Sequence, residues 1–472
     1  MNPLSRKVMY AWVNLGPRFL PFADAATPEM PLSRLLRLSL FQVSVGMALV
    51  LLVGTLNRVM IVELDVPASL VAIMLALPLV FAPFRALIGF RSDTHRSFLG
   101  WRRVPFIWTG TLIQFGGLAI MPFALLVLAG EGEAADAPRW IGLAGAGLAF
   151  LMVGAGLHTV QTVGLALATD LAPPEAQPKI VGLMYVMLLA GMIGSAVVFG
   201  ALLADFTPGK LIQVIQASAV VTLVLNVVAL WKQEARCPGR TAFDLPQPSF
   251  RASWGSFIEG EQALRRLAAL GLGTMAFSMQ DVLLEPYGGQ ILGLSVAATT
   301  TLTASLALGS LIGFSYASRV LSRGTDPFRM ASFGALAGIP GFALVILSAP
   351  LQMPALFAGG VLLVGFGGGL FSHGTLTATM NLAPRDQIGL ALGAWGAVQA
   401  TAAGVAMALG GVMRDVVTGW AGPKGNGPVL GYVSVYVVEM ALLVVAVVVM
   451  LPLLRKSQGA LPLRTPSKAT GL

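Results

Sequence analysis

The sequence predicts an all-α membrane protein with twelve transmembrane helices in two six-helix halves. Of its 472 residues, 56% are hydrophobic and only 11% are charged, whereas about 25% are charged in a typical soluble domain. The mean hydropathy is +0.80. This composition excludes a soluble enzyme, a disordered chain and a disulfide-stapled secreted domain. The single cysteine, Cys237, cannot form a disulfide within the chain.

Apolar runs long enough to cross a bilayer, about 20 residues each, occur twelve times. They predict helices over 38–62, 67–90, 104–129, 140–169, 180–204, 210–231, 265–285, 292–320, 329–349, 353–381, 387–413 and 429–453. The aromatic-rich stretch 1–37 before the first run is predicted to lie on the membrane surface, and 454–472 form a tail.

The distribution of basic residues predicts the orientation. An even number of spans places both termini on one side, and 25 of the 30 Lys and Arg residues fall on that side. The positive-inside rule therefore places both termini in the cytoplasm. The net charge of +9 is accordingly a topology signal that favours anionic lipid headgroups as partners and argues against nucleic acid.

The two halves repeat each other. The tetrapeptide Leu-Ile-Gly-Phe at 87–90 recurs at 311–314, and Leu-Ala-Pro at 171–173 recurs at 382–384. A polar stretch at 232–264 separates the halves, 38–231 and 265–453, and is predicted to be a cytoplasmic linker. Parallel six-helix repeats joined by such a linker are typical of the major facilitator superfamily.

The loop between the second and third spans resembles the gating loop of that superfamily. Its elements are Gly89, Asp93, Gly100, Arg102 and Arg103. The spacing departs from the usual pattern, because six residues separate Asp93 from Gly100 where about two are usual. Two interpretations remain open: the arginines hold the opposite half closed, or they only enforce the topology.

Polar groups inside spans are costly and are therefore candidate functional residues. The fourth span carries His158 and Gln161, the tenth His373, the seventh Asp281 and Glu285, and the twelfth Glu439. Three interpretations compete: the histidines ligate the magnesium of a porphyrin-type pigment, the acids couple proton movement to transport, or these groups only hold the bundle together. We find no GxSxG, Walker or HExxH motif, which predicts that the protein is not an enzyme.

Several longer stretches are more specific. They are 19–26, 35–47, 54–64, 82–89, 92–96, 100–105 and 114–123, including Phe-Leu-Pro-Phe-Ala-Asp-Ala-Ala at 19–26 and Gly-Trp-Arg-Arg-Val-Pro at 100–105. Together they resemble the PucC/LhaA family of bacteriochlorophyll-delivery proteins, most densely over 19–130.

The resemblance implies a role in the photosynthetic membrane of purple bacteria. Members of the family are needed to assemble light-harvesting complexes, and they are thought to deliver bacteriochlorophyll to single-span antenna α and β polypeptides and to hold them. LhaA-type members serve core complex 1 around the reaction centre, and PucC-type members serve peripheral complex 2; the residues do not separate the two types.

The implied cofactor is transiently bound bacteriochlorophyll, with carotenoid or lipid as further candidates, and the only magnesium is that of the pigment. The implied partners are antenna polypeptides, assembly intermediates of the reaction centre with its core antenna, and bacteriochlorophyll synthase. His158 or His373, with Gln161 nearby, is the candidate pigment site.

A last group, Asn57, Arg58 and Glu63, falls at the outer end of the first span. It either pairs internally or meets the terminus of an antenna polypeptide. The alternative function is a proton-coupled solute transporter on the same fold, with Glu439 or Asp281 as the coupling acid. A passive scaffold for antenna helices is a third possibility.

Overall fold

The computed structural model describes residues 30–80, 85, 88–89, 91–92, 95, 100–130, 136–173, 176–236, 262–321, 323–382, 388–422 and 426–457. The predicted surface segment up to residue 29, most of the linker, Asp93 and the tail beyond residue 457 lie outside these residues. The described chain forms helices joined by short connections.

Twelve helices follow one another along the described chain. They are α1 (Leu32–Val62), α2 (Ala68–Val80), α3 (Val104–Ala129), α4 (Arg139–Asp170), α5 (Gln177–Leu202), α6 (Pro208–Leu230), α7 (Ala263–Gln290), α8 (Val296–Leu321), α9 (Pro327–Leu351), α10 (Pro354–Leu382), α11 (Ile388–Ala421) and α12 (Gly427–Ser457). All except the described part of α2 are long and apolar enough to cross a membrane. The protein is a multi-pass membrane protein.

Several predicted boundaries differ from the observed helices by a few residues, and two of the differences have identifiable reasons. Helix α1 begins at Leu32, directly after the extended residue Pro31, and not at residue 38. Helix α11 continues to Ala421, beyond the predicted end at 413. Arg414 and Asp415 pair with each other at 2.7 Å, so these charges do not end the helix. Residues 32–37 accordingly belong to the first helix, and the last two residues of the predicted linker, 263–264, belong to α7.

The helices pack in two bundles that meet along two seams. Within the halves, α3 packs on α4, and α10 packs on both α8 and α9; between the halves, α2 packs on α11 and α5 packs on α8. We call the inner end the one at which α1 begins and α12 ends, and the opposite one the outer end. The charge distribution predicts that the inner end is cytoplasmic.

Glycines bring α8 and α10 into backbone contact. A Cβ added at Gly309 would lie closer than 3.0 Å to the carbonyl oxygen of Leu362, and one added at Gly365 would lie equally close to that of Leu306. Real Cβ atoms do not approach carbonyl oxygens this closely. The glycine-rich stretch of α10 therefore serves close helix packing.

Two helices are irregular where the halves meet. Helix α1 widens into a π-helix over Val50–Leu56, and the first α-helical part of α7 ends at Ser278. A 3₁₀ turn over Met279–Val282 follows before the helix resumes at Leu284–Gln290. Irregular turns inside helices free backbone groups and often occur at functional sites, so these two segments mark the region to search.

Candidate functional site

A cavity of about 250 Å³ lies between the two halves, beside the break in α7. Residues of α5, α7, α8, α10 and α11 form its wall. The wall is mostly apolar and aromatic, with a few polar groups; it includes Tyr185, Phe277, Phe314, Phe371, Trp395, Gln280, Asp281, Ser310 and Gln399. An apolar pocket with a few convergent polar groups is the usual form of a small-molecule site.

The broken turn of α7 is held by an acid from α12. Glu439 is fully buried, and its Oε1 accepts a hydrogen bond of 2.6 Å from the backbone N–H of Gln280. The side-chain amide of Gln280 donates to Oδ1 of Asp281 at 2.7 Å. Glu439 thus satisfies a backbone donor that the break exposes, and Asp281 stands at the cavity wall.

Asp281 and Glu285 have different neighbours, although four residues separate them. The carboxylate of Glu285 accepts a hydrogen bond from the hydroxyl of Thr303 in α8 and lies against Gly54 in the π-helical part of α1. A regular helix would have placed both acids on one face, as the sequence suggested. The 3₁₀ turn over Met279–Val282 interrupts that periodicity.

The group at the outer end of α1 pairs internally and also bridges the halves. Arg58 forms an ion pair with Glu63 and donates to the carbonyl of Leu294 at 3.3 Å. Asn57 donates to the carbonyl of Val282 at 2.9 Å. The hydroxyls of Thr55 and Thr300 lie 3.3 Å apart. We call Thr55, Asn57, Arg58, Val282, Leu294 and Thr300 the outer seal.

The fourth span carries a polar cluster that the sequence revealed only in part. Gln161 accepts a hydrogen bond of 3.0 Å from Nη2 of Arg85, and Thr162 accepts one of 3.0 Å from its Nε. His158 lies one turn earlier on α4, and its Nδ1 is buried with no hydrogen-bond partner among the described residues. Arg85 is one of the 25 basic residues that the positive-inside count places on the side of the termini. Its position inside the predicted span 67–90 was the available sign of another role.

His373 lies apart from this cluster. It is buried on α10 and packs against Phe314, with ring centroids 4.1 Å apart. The ring centroid of Phe314 in turn lies 6.2 Å from that of Tyr185. Neither histidine lines the cavity. Among the described residues, no group of three His, Cys, Asp or Glu side chains forms a metal site.

The cavity does not fit a whole pigment in this conformation. Sites for drug-sized ligands measure roughly 300–1,000 Å³, whereas this cavity measures about 250 Å³. A tetrapyrrole with a long isoprenoid tail is larger than such ligands. Pigment ligation by His158 or His373 therefore stays a prediction, and it requires either movement of the helices or binding at the lipid-facing surface.

The predicted gating arginines bind within their own half. Arg102 and Arg103 contact Asp170 at the end of α4, at 2.6 and 2.9 Å. The carboxylate of Glu234, just after α6, accepts the backbone N–H groups of both arginines and of Val104. These contacts connect the loop to the ends of α4 and α6, so the arginines do more than set the topology, and their gating role stays a prediction.

The two glycines of the same motif have separate environments. Gly100 has a φ of +75°, a left-handed conformation that glycine adopts without strain. Gly89 is helical and faces the methyl group of Thr162. Asp93 lies outside the described residues, so its predicted role in the loop stays a prediction.

Comparison with known proteins identifies the family. The model of the family described as PUCC protein matches residues 55–458. The chain belongs to the PUCC family. A relative named Protein PucC from Rhodovulum sulfidophilum is 66% identical over 420 residues, covering 88% of this chain and 92% of that protein. Protein PucC from Cereibacter sphaeroides is 60% identical, covering 95% of this chain and 98% of that protein.

Solved structures confirm the fold of this PUCC family member. A bacterial homologue of the lysosomal transporter Spinster aligns with a TM-score of 0.63 at 15% identity, covering 89% of this chain and 96% of that one. The nucleoside transporter NupG aligns with a TM-score of 0.63 at 12% identity, covering 89% of this chain and 99% of that one. At this identity the likeness shows the fold alone, which is that of the major facilitator superfamily.

Proposed function

We propose that this protein is a non-enzymatic assembly factor for light-harvesting antenna complexes, and that it delivers bacteriochlorophyll to single-span antenna polypeptides and holds them during assembly. The observation that carries the proposal is the 66% identity to a Protein PucC across nearly the whole chain. A relative named Bacteriochlorophyll synthase 44.5 kDa chain, from Rhodobacter capsulatus, is 27% identical over 81% of this chain. That name supports a connection with pigment chemistry.

Within this proposal, the antenna served is peripheral complex 2. Three relatives that carry the name Protein PucC are 59 to 66% identical to the chain. A protein described as uncharacterized, from the puhA-bchM intergenic region of Rhodobacter capsulatus, is 52% identical. The family resemblance implies that PucC-type members serve the peripheral antenna, so the three relatives of that name favour complex 2 over core complex 1.

The lipid-facing surface supports lateral handling, by which we mean that pigment and polypeptide bind to the side of the bundle from within the membrane and do not pass through the cavity. The cavity is smaller than a pigment, and the outer seal links the halves above it. By contrast, α12 exposes a broad aliphatic face to its surroundings; this face includes Val437, Val444, Val445, Val448 and Leu451. A single-span helix can pack on such a face without any opening of the bundle.

The proposed setting follows from the same role. The protein works in the intracytoplasmic photosynthetic membrane with both termini in the cytoplasm. Its partners are antenna α and β polypeptides, assembly intermediates that contain the reaction centre, bacteriochlorophyll synthase and anionic lipids. Its cargo is bacteriochlorophyll, accompanied by carotenoid or lipid.

Deletion of the gene in its pigment-producing host tests the proposal. We expect the near-infrared absorption of the peripheral antenna in isolated membranes to fall at least tenfold and to return when the gene is supplied on a plasmid. Absorption of the core antenna and transcript levels of the antenna genes serve as internal controls. An unchanged peripheral band in the deletion strain would contradict the role.

The same strain tests the two histidines. If His158 or His373 ligates the pigment magnesium, the double variant His158→Phe/His373→Phe accumulates in the membrane but restores little antenna absorption. Exposed Arg329→Gln is the matched control and is expected to restore it fully. Normal antenna assembly by the double variant would remove both histidines from the pigment pathway.

A second candidate function is proton-coupled solute transport. The specific observation in its favour is the broken turn of α7, which places Asp281 at the cavity wall with Glu439 behind it. Broken helices that expose backbone beside a central cavity are a feature of transporter sites. If this function holds, Glu439→Gln abolishes uptake of a solute while leaving antenna absorption intact. The assembly role predicts that antenna absorption depends on the presence of the gene and that solute uptake does not.

A further inference from the structure

Arg85 is a cation fixed deep in the bundle by neutral groups. Its guanidinium donates to Gln161 Oε1 and to Thr162 Oγ1, each at 3.0 Å. Gln161 lies nine residues before Asp170, the last residue of α4. At 1.5 Å per residue, the guanidinium therefore lies about 13 Å inside that end of the helix. This depth is within the apolar part of the span.

The charge of Arg85 has no acidic counterpart among the described residues. Both of its hydrogen-bond acceptors are uncharged. Among the described residues, the ionisable groups within electrostatic range of it are Tyr185 and His158, neither of which carries a negative charge at neutral pH. The other deep arginines have carboxylate partners: Arg58 pairs with Glu63, and Arg103 pairs with Asp170. A charge inside a membrane span is costly, so Arg85 marks a candidate functional site. Its positive charge calls for a negatively charged partner.

The surroundings of Arg85 indicate the form of that partner. Arg85 does not itself line the central cavity, but Tyr185, which lies within electrostatic range of its guanidinium, belongs to the cavity wall. Its ring lies 6.2 Å from that of Phe314 and 6.5 Å from that of Trp395. A ligand with its anion at Arg85 therefore has an aromatic surface beside it, leading into an apolar space of about 250 Å³.

We propose that Arg85, positioned by Gln161 and Thr162, binds the anionic head of an amphiphile, with the apolar part lying along Tyr185 and Phe314 in the central cavity. The head is a carboxylate or a phosphate, because the guanidinium fork matches the oxygens of both. This site does not depend on the antenna role. It adds a small anionic ligand to a protein whose cavity is too small for a whole pigment.

Binding of radiolabelled palmitate to the purified full-length protein in dodecyl maltoside tests the site, with scintillation proximity as the readout. We expect saturable binding by the unaltered protein, at least tenfold weaker binding by Arg85→Gln, and intermediate binding by Arg85→Lys, which keeps the charge but lacks the guanidinium fork. Arg329→Gln removes an exposed cation and is expected to change nothing. Thermal unfolding of each variant confirms that it is folded.

Competition on the unaltered protein identifies the ligand without any variant. Unlabelled palmitate and lysophosphatidate are expected to displace the label, and their ratio distinguishes a carboxylate source from a phospholipid source. Methyl palmitate, which has the same chain and no charge, is expected to be at least tenfold weaker. Equal displacement by the methyl ester, absence of saturable binding, or unchanged binding in a folded Arg85→Gln protein would overturn the proposal.

Discussion

Adding one methyl group at Gly365 is expected to destabilise the protein strongly. In Gly365→Ala the new Cβ falls closer than 3.0 Å to the backbone carbonyl of Leu306. A backbone atom cannot rotate away as a side chain can, so α8 and α10 must separate. Overpacking of this kind costs about 1–3 kcal/mol. The measurement is the midpoint of thermal unfolding of the purified protein in detergent.

Gly359 offers a matched control on the same helix. It is exposed, and a Cβ there would meet nothing within 4 Å. Gly359→Ala is expected to leave stability unchanged or to raise it slightly, because alanine favours helix over glycine by about 0.5–1 kcal/mol. Equal loss of stability in both variants would show that α8 and α10 do not meet through Gly365.

A disulfide across the outer seal is expected to stabilise the protein markedly. Thr55 and Thr300 face each other with their hydroxyl oxygens 3.3 Å apart, which makes Thr55→Cys/Thr300→Cys a suitable pair in a Cys237→Ser background. Closing a loop of this length stabilises the folded state by about 5 kcal/mol in the chain-entropy model. Oxidised and reduced samples of the same protein give the comparison by thermal unfolding.

The locked protein also separates the two candidate functions. Lateral handling of pigment and antenna helices needs no opening of the outer end, so antenna absorption is expected to persist in cells that carry the oxidised pair. A transporter must open both ends in turn and would stop. Loss of function on oxidation, with recovery on reduction, would contradict lateral assembly; failure of the two cysteines to bridge would contradict the seal itself.

The fold was predictable because the signals that define it are local. Apolar length and the repeat of Leu-Ile-Gly-Phe at 87–90 and 311–314 predict two bundles of six helices, and the solved neighbours confirm this fold. Boundaries failed where a tertiary contact decides them. The predicted span stops at 413, just before Arg414 and Asp415, yet Arg414 donates to Gln290 of α7, Asp415 accepts the backbone N–H of Ser69 in α2, and the helix continues to Ala421.

The sequence predicted which polar residues belong to the candidate site, but it did not predict which residues they contact. Asn57 and Arg58 stood out as polar groups in a span, but their acceptors lie on Val282 and Leu294, more than 200 residues away. The break in α7 had one local sign, Pro286, which cannot donate a hydrogen bond to the carbonyl four residues earlier, that of Val282 at the end of the 3₁₀ turn. The break is stabilised by Glu439 from α12, a partner that periodicity cannot reveal.

Arginines were the least predictable residues, because one residue type serves several purposes in a membrane protein. Arg85, Arg102 and Arg103 all fit the positive-inside rule. In the structure, Arg102 and Arg103 contact Asp170 and Glu234. Arg85 instead donates a hydrogen bond to Gln161 inside the bundle. Only its neighbours in the folded structure show whether an arginine sets the topology, connects helices or binds a ligand.

Purification of the tagged protein from a pigment-producing host tests the assembly role most directly. In mild detergent, its absorption spectrum is recorded and the co-purifying chains are identified by mass spectrometry. We expect bound bacteriochlorophyll together with the α and β polypeptides of the peripheral antenna. A colourless protein without antenna polypeptides would contradict the assembly role and would favour a solute transporter on the same fold.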